Sequence, residues 1–237
     1  MDQPVSIVTG AGSGIGRATA IMLAERGHRI TLVGRTAIAL EETAALIREK
    51  VPGATLFPCV ADVCDLDLAA MVVDRTHAAW GRIDCLVNGA GAAPKAPIEA
   101  TDEELLEHTF YVNAFGPATL IARCWPHFVR QKSGCVVNIS TMGAFDPFPG
   151  FFVYAAAKSA LDSFTRSAWR EGRRHGIRSF CINPGAVETR MLRQNWDERI
   201  IPPAKTLPPE AIATVIVDCI EGRRDAEAGT SIPVPSP

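Results

Sequence analysis

Short apolar runs rich in Val and Ile alternate along the chain with longer stretches whose apolar positions recur at helical spacing. VSIVTG at 5–10 reads as a buried strand, and GRATAIMLAERG at 16–27 as a helix ended by Gly27. RITLVG at 29–34 is a second strand, followed by a helix over 39–50. A third strand is expected at 54–62 with a helix over 66–79, and a fourth strand at 83–91. A long helix then starts near Thr101, where Thr101 and Glu104 have capping-box spacing. GCVVNIST at 134–141 is a fifth strand, a helix carries Tyr154 to Lys158, and IRSFCINPG at 177–185 is a sixth strand. The strands are apolar throughout rather than alternating, which marks a parallel sheet covered by helices on both faces. No repeat, low-complexity tract or linker interrupts the series. The expected fold is one doubly wound α/β domain over 1–237, with ligands bound beyond the C-terminal ends of the strands.

Composition narrows the function classes. The chain has 237 residues, ample for a full core, with 47% hydrophobic and 21% charged residues. A formal net charge of -2 gives no overall case for nucleic acid or an anionic membrane. The one basic stretch, RSAWREGRRHGIR at 166–178, fits a helix C-terminus, where cations complement the dipole. MDQPVSIVTG has neither a basic n-region nor an apolar h-region, so no signal peptide is expected, and no apolar run approaches a membrane span. Seven scattered cysteines, without a CxxC pair or metal-ligand spacing against five histidines, imply reduced thiols in a cytoplasmic protein and no metal.

The candidate chemistry falls at strand ends. TGAGSGIG at 9–16 joins the first strand to the first helix, with glycines at 10, 14 and 16. Such a turn lets the backbone approach a pyrophosphate, whose charge the helix N-terminus favours. No Lys-Ser/Thr follows the glycines, so this is not a P-loop, and strict G-x-G-x-x-G spacing is absent. Further on, YAAAK places Tyr154 and Lys158 on one helix face, one turn apart. A phenol with an ordinary pKa near 10 is a poor proton donor–acceptor at neutral pH, and a neighbouring ammonium pulls that value down. The pair reads as either a proton-transfer couple or an amphipathic surface helix with a half-buried Tyr.

Taken in order, T-G-x-x-x-G-x-G, N-x-A-G after the fourth strand, a hydroxyl ending the fifth and Y-x-x-x-K resemble the short-chain dehydrogenase/reductase superfamily, from Val5 to at least Thr189. The resemblance implies a Rossmann fold and a nicotinamide cofactor held by Gly10, Ser13, Gly14, Ile15 and Gly16. It also implies that Asp62 and Val63 flank the adenine, and that Asn88, Ala90 and Gly91 line the strand end, Asn88 tying neighbouring strands. Gly89 stands where the family usually has a second Asn. Pro184, Gly185, Val187 and Thr189 correspond to the segment that meets the nicotinamide. Gly34 occupies the place of the Asp usual in NAD-preferring relatives, and Arg35 follows, which points to NADP rather than NAD, with a solvated turn residue as the alternative. Tyr154 becomes the general acid/base, and Lys158 also holds the nicotinamide ribose. A hydroxyl thirteen residues before the tyrosine is Thr141; an insertion in the 142–153 loop would select Ser140 instead. Asn113, amid apolar residues of the long helix, is expected either to kink that helix and hold a water connecting Lys158 to solvent or to satisfy itself against a neighbouring helix. Tyr111 has no lysine at i+4 and reads as packing.

AFDPFPGFF at 144–152 is either an apolar substrate mouth or interface packing, and 189–208, bounded by prolines and holding Trp196, reads as a lid. The expected activity is hydride transfer between nicotinamide and a small alcohol/carbonyl substrate, an apolar one if the 144–152 segment is its mouth. The alternative is a non-catalytic NADP-binding sensor or scaffold. By resemblance, a homodimer or homotetramer forms through the 101–129 helix and the Tyr154 helix.

Overall fold

The computed structural model describes residues 3–237; Met1 and Asp2, part of the segment read for a leader, lie outside the described residues. Seven strands form one parallel sheet: β1 Val5–Thr9, β2 Arg29–Gly34, β3 Leu56–Val60, β4 Cys85–Asn88, β5 Gly134–Ile139, β6 Ile177–Pro184 and β7 Ser231–Val234. Their order across the sheet is β3-β2-β1-β4-β5-β6-β7. The chain moves outward from β1 to β3, then crosses back to β4 on the other side of β1. That reversal opens a crevice at the C-terminal ends of β1 and β4.

The helices are α1 Gly14–Glu25, α2 Ala37–Lys50, α3 Leu66–Trp80, α4 Glu103–Phe110, α5 Gly116–Gln131, α6 Phe152–Gly172, α7 Arg190–Asn195 and α8 Pro209–Ile220. They cover both faces. Val8, Val87 and Val137 pack with Leu23 of α1, Leu40 of α2 and Ile216 of α8. Ile7, Leu86 and Val136 face the other way, against Val72 of α3 and Leu120 and Phe128 of α5. Successive strand residues thus alternate between two apolar layers, which is why these strands are hydrophobic along their length.

Several local expectations are corrected. Asp102, not Thr101, caps α4: its carboxylate accepts from Leu105 N at 2.8 Å, so a stronger acceptor one residue on takes the role. The expected long helix is broken by a π-helical turn over Tyr111–Phe115. Within the basic stretch, α6 ends at Gly172, and Arg178 lies on β6. Arg178 does complement a helix C-terminus, but that of α8, donating to Cys219 O at 2.7 Å and Ile220 O at 2.8 Å. Both α8 and β7 were absent from the sequence reading. No helix among the described residues is long and apolar enough to cross a membrane.

Candidate active site

Close backbone approach builds the crevice. A Cβ on Gly16 would sit 2.3 Å from Gly10 O, and one on Gly89 would sit 2.7 Å from Thr9 O. The glycine at 89 is therefore demanded by this chain's own packing of β1 against β4. Thr9 Oγ1 accepts from Gly89 N at 3.0 Å and Ala90 N at 3.1 Å, locking the two strand ends. Gly10, Ser13, Gly14, Ile15, Gly16, Arg35, Asp62, Val63, Ala90, Gly91 and Thr189 line the resulting groove of about 590 Å³. Ser13 makes no side-chain cap and the first turn of α1 has no acid, so its N–H groups and positive dipole end are free for an anion. The residues present thus fit a dinucleotide pyrophosphate.

At the outer end of the groove Arg35 is well exposed and lies 3.9 Å from the Asp62 carboxylate. Position 34 carries no acid, as the sequence showed, but an acid from the end of β3 reaches the same spot. Sequence reasoning missed Arg17, which donates to Gly12 O and Thr43 Oγ1 and pairs with Glu42 at 3.1 Å. Its place just after the last glycine of the turn was the available signal.

Ile15, Gly91 and Thr189 also border a second cavity of about 340 Å³, so the two spaces adjoin. This cavity contains Ser140, Thr141, Tyr154, Lys158, Pro184, Gly185 and Val187. Tyr154 is hydrogen-bonded to the Thr141 side chain, whose Oγ1 also accepts from Gly143 N at 3.1 Å. Ser140 turns away: its hydroxyl donates to the main-chain carbonyl of Lys158 at 3.4 Å. Lys158 is buried, with Nζ donating to Ile139 O at 2.7 Å and 6.0 Å from the Tyr154 ring centroid.

The electrostatics depart from expectation. Burial pushes the Tyr154 phenol up to about 12, with the Thr141 hydrogen bond pulling the other way. Burial lowers Lys158 to about 8, against the opposing influence of Cys181 and Asp162. Desolvation dominates both groups, so Tyr154 lies above its ordinary value rather than below it.

Two expected residues line neither space. Asn88 is buried and donates to Asn138 Oδ1 at 2.8 Å, tying β4 to β5. Asn113 sits in the π-helical turn, donating to Thr109 O at 2.9 Å and Ala92 O at 2.8 Å. A Cβ on Gly91 would meet Asn113 Oδ1 at 3.0 Å and Lys158 Nζ at 3.5 Å, so both groups face one small space.

The aromatic segment divides. Phe151, buried, and Phe148, as exposed as Phe145 and Phe152, border the cavity; Phe145 and Phe152 do not line it. Trp196, just beyond α7, approaches Phe151 with ring centroids 6.1 Å apart and lies under Lys95 Nζ at 4.0 Å. Tyr111 packs edge-on against Phe115 at 5.3 Å, in keeping with its reading as packing.

A family model described as short chain dehydrogenase matches residues 4–200. The chain belongs to the short-chain dehydrogenase family. A fatty acyl-CoA reductase of Acinetobacter baylyi is 33% identical over 221 residues, covering 92% of this chain and 73% of the relative. The 2,3-dihydro-2,3-dihydroxybenzoate dehydrogenase of Escherichia coli is 33% identical over 226 residues, covering 89% and 86%. The crystal structure of levodione reductase superposes with a TM-score of 0.92 at 29% identity, covering 98% of this chain and 96% of that one. In this short-chain dehydrogenase, as in the named relatives, the activity class is oxidoreduction.

Proposed function

We propose that the chain is an NADP(H)-dependent oxidoreductase interconverting an alcohol and a carbonyl, with Tyr154 as the general acid/base. The observation that carries this reading is the Tyr154–Thr141 hydroxyl pair within a largely apolar cavity that adjoins the dinucleotide groove. Gly10 and Ser13 to Gly16 hold the pyrophosphate, Asp62 and Val63 the adenine end, Ala90 and Gly91 the strand end. Pro184, Gly185, Val187 and Thr189 hold the nicotinamide end. The bound nicotinamide supplies or accepts the hydride.

Held well above neutrality, Tyr154 keeps its proton at pH 7, the form needed to protonate an oxygen that is becoming an alkoxide. Thr141 orients the substrate oxygen through its own hydroxyl; Ser140, bonded to the Lys158 main chain, supports the helix instead. As the proton leaves, the Lys158 ammonium favours the forming phenolate. Asn113, which faces the same small space as Lys158 beside Gly91, holds the water that links Lys158 to solvent. Arg35, with no acid at position 34, supports the choice of NADP.

The 189–208 segment serves as the lid of a single domain spanning 1–237. Assembly through α4, α5 and α6 fits the exposure of Leu106 on α4, Phe115 in the π-helical turn before α5 and Phe152 on α6, and seven unpaired thiols fit a cytoplasmic setting.

Tyr154→Phe tests the chemistry. Turnover with a panel of aldehydes and ketones is expected to fall by about 10²–10⁴-fold, while cofactor affinity stays within about twofold. Unaltered turnover, or a parent protein inert on every carbonyl while binding cofactor, would favour a sensor or scaffold.

A further inference from the structure

Helical spacing continues the catalytic face beyond YAAAK: Tyr154, Lys158 and Asp162 stand at successive turns of α6. Among the described residues, Lys158 and Asp162 are the only buried side chains that carry a formal charge at neutral pH, one of each sign, each 4% exposed. An isolated buried charge is strongly disfavoured unless it is paired and hydrogen-bonded. The carboxylate of Asp162 is fully engaged. Cys181 Sγ donates to Oδ1 at 3.1 Å, Asn183 Nδ2 to Oδ2 at 3.0 Å and Ser231 Oγ to Oδ2 at 2.9 Å. Asn183 Nδ2 also donates to the main-chain carbonyl of Thr141 at 3.1 Å, so the same carboxylate is connected to the residue that hydrogen-bonds Tyr154.

We propose that Asp162 is a positioning residue for this centre: its buried carboxylate is the counter-charge that keeps Lys158 an ammonium, and through Asn183 it fixes the Thr141 main chain. The inference rests on the proton-transfer reading of Tyr154 and Lys158. Asp162 reaches neither substrate nor cofactor. It acts through its neighbours, and it draws β6 and β7 into the support of the site.

The surroundings leave few other sources of charge. On its own helix Lys158 faces Tyr154 and Asp162; from β6 it faces Cys181; the π-helical turn presents the neutral Asn113, and the residue after β5 is the neutral Ser140. Cys181 is held as a thiol by burial and by Asp162 itself, so it supplies no anion near neutrality. Burial lowers Lys158 from its ordinary value, and the negative charge of the Asp162 carboxylate opposes that shift. Removing that charge moves the lysine midpoint further down.

Asp162→Asn isolates the charge. The amide oxygen can take the place of Oδ2 and keep both donors, while the amide nitrogen donates to Cys181 Sγ, reversing one bond. Lysine labelled with carbon-13 at the ε position gives five signals, one for each lysine of the chain, and Lys158→Met assigns the one of interest. Titrated without substrate, the Lys158 signal is expected to move its midpoint down by about one pH unit or more in Asp162→Asn. The alkaline limb of kcat/KM moves down with it. An unchanged Lys158 midpoint overturns the proposal, whatever happens to activity. If Asp162→Asn does not fold, the double variant Lys158→Met/Asp162→Asn decides: with both charges gone it is expected to fold, and a double variant that also fails shows a packing role alone and overturns the proposal. Because the titration needs no turnover, an inert enzyme with a normal Lys158 shift would defeat the proposed function and leave the Asp162 coupling standing.

Discussion

At the scale of single residues, cofactor choice turns on what surrounds one guanidinium. Arg35 is 65% exposed, and its 3.9 Å separation from Asp62 makes the pair a weak surface contact, worth about 0–1 kcal/mol. A 2′-phosphate offers a doubly charged, multidentate partner, and an arginine–phosphate hydrogen bond contributes roughly 1.5–3 kcal/mol. On the proposed NADP reading, the phosphate would draw Arg35 away from Asp62. Arg17 is committed elsewhere: Thr43 takes its Nε donor, and Gly12 and Glu42 take Nη2. Arg35→Ala is expected to weaken NADPH binding by about ten- to a hundred-fold while leaving NADH nearly unchanged. Titration of each cofactor, followed by tryptophan-to-nicotinamide energy transfer, reads this directly. Equal losses for both cofactors would make Arg35 a general contact and remove the basis for preferring NADP.

At the scale of elements, α7 and the turn after it are fastened over the cavity by contacts scattered along the chain. Asn195 donates to Ala93 O at 2.9 Å, Arg193 pairs with Glu188 and donates to Ile201 O at 2.8 Å, and Trp196 lies between Lys95 and Phe151. Trp196 thus forms part of the apolar wall. With Trp196→Ala, a substrate that loses contact with two methylene-sized patches loses roughly 1.6 kcal/mol, about tenfold in KM. Steady-state kinetics should show that rise for bulky apolar carbonyls and little change for the smallest ones; a uniform change across sizes would place Trp196 outside the substrate contact. None of these pairings is periodic, so the sequence showed a proline-bounded segment with a tryptophan and no more. The strands and helices up to β6 were legible because each is a run of one period. β7 was not: Pro233 within SIPV argues against a strand, and it is accommodated at the sheet edge, where Pro233 is exposed. α8 begins at Pro209 amid the prolines that were read as the lid's border. The π-helical turn carries no periodic signature, and Asn113 was its only mark.

At the scale of the whole molecule, the two ends of the sheet have separate roles. The C-terminal strand ends hold the groove and the hydroxyl pair. The opposite end holds a buried His28 against the start of β1, with Nδ1 2.7 Å from Ser6 Oγ. Desolvation lowers the His28 pKa from its ordinary 6.5, overcoming the attraction of Asp84 and Glu221. The folded chain therefore holds this imidazole neutral over a range in which the unfolded chain has already taken up the proton. Its stability is full above about pH 6.5 and is lost as the pH falls below that value, with a slope of at most about 1.4 kcal/mol per pH unit for one proton. His127 titrates in the same direction, so the wild-type profile alone does not isolate His28. His28→Asn does, since an amide can still meet Ser6 but carries no titrating group. Thermal unfolding followed between pH 7.5 and 5.0 should fall less steeply in His28→Asn than in the parent, with kcat/KM at pH 7 within about twofold because the site lies at the other end of the strands. Identical slopes would mean that His28 takes up its proton in the folded chain as readily as in the unfolded one, and that burial beside Ser6 does not govern this end of the sheet.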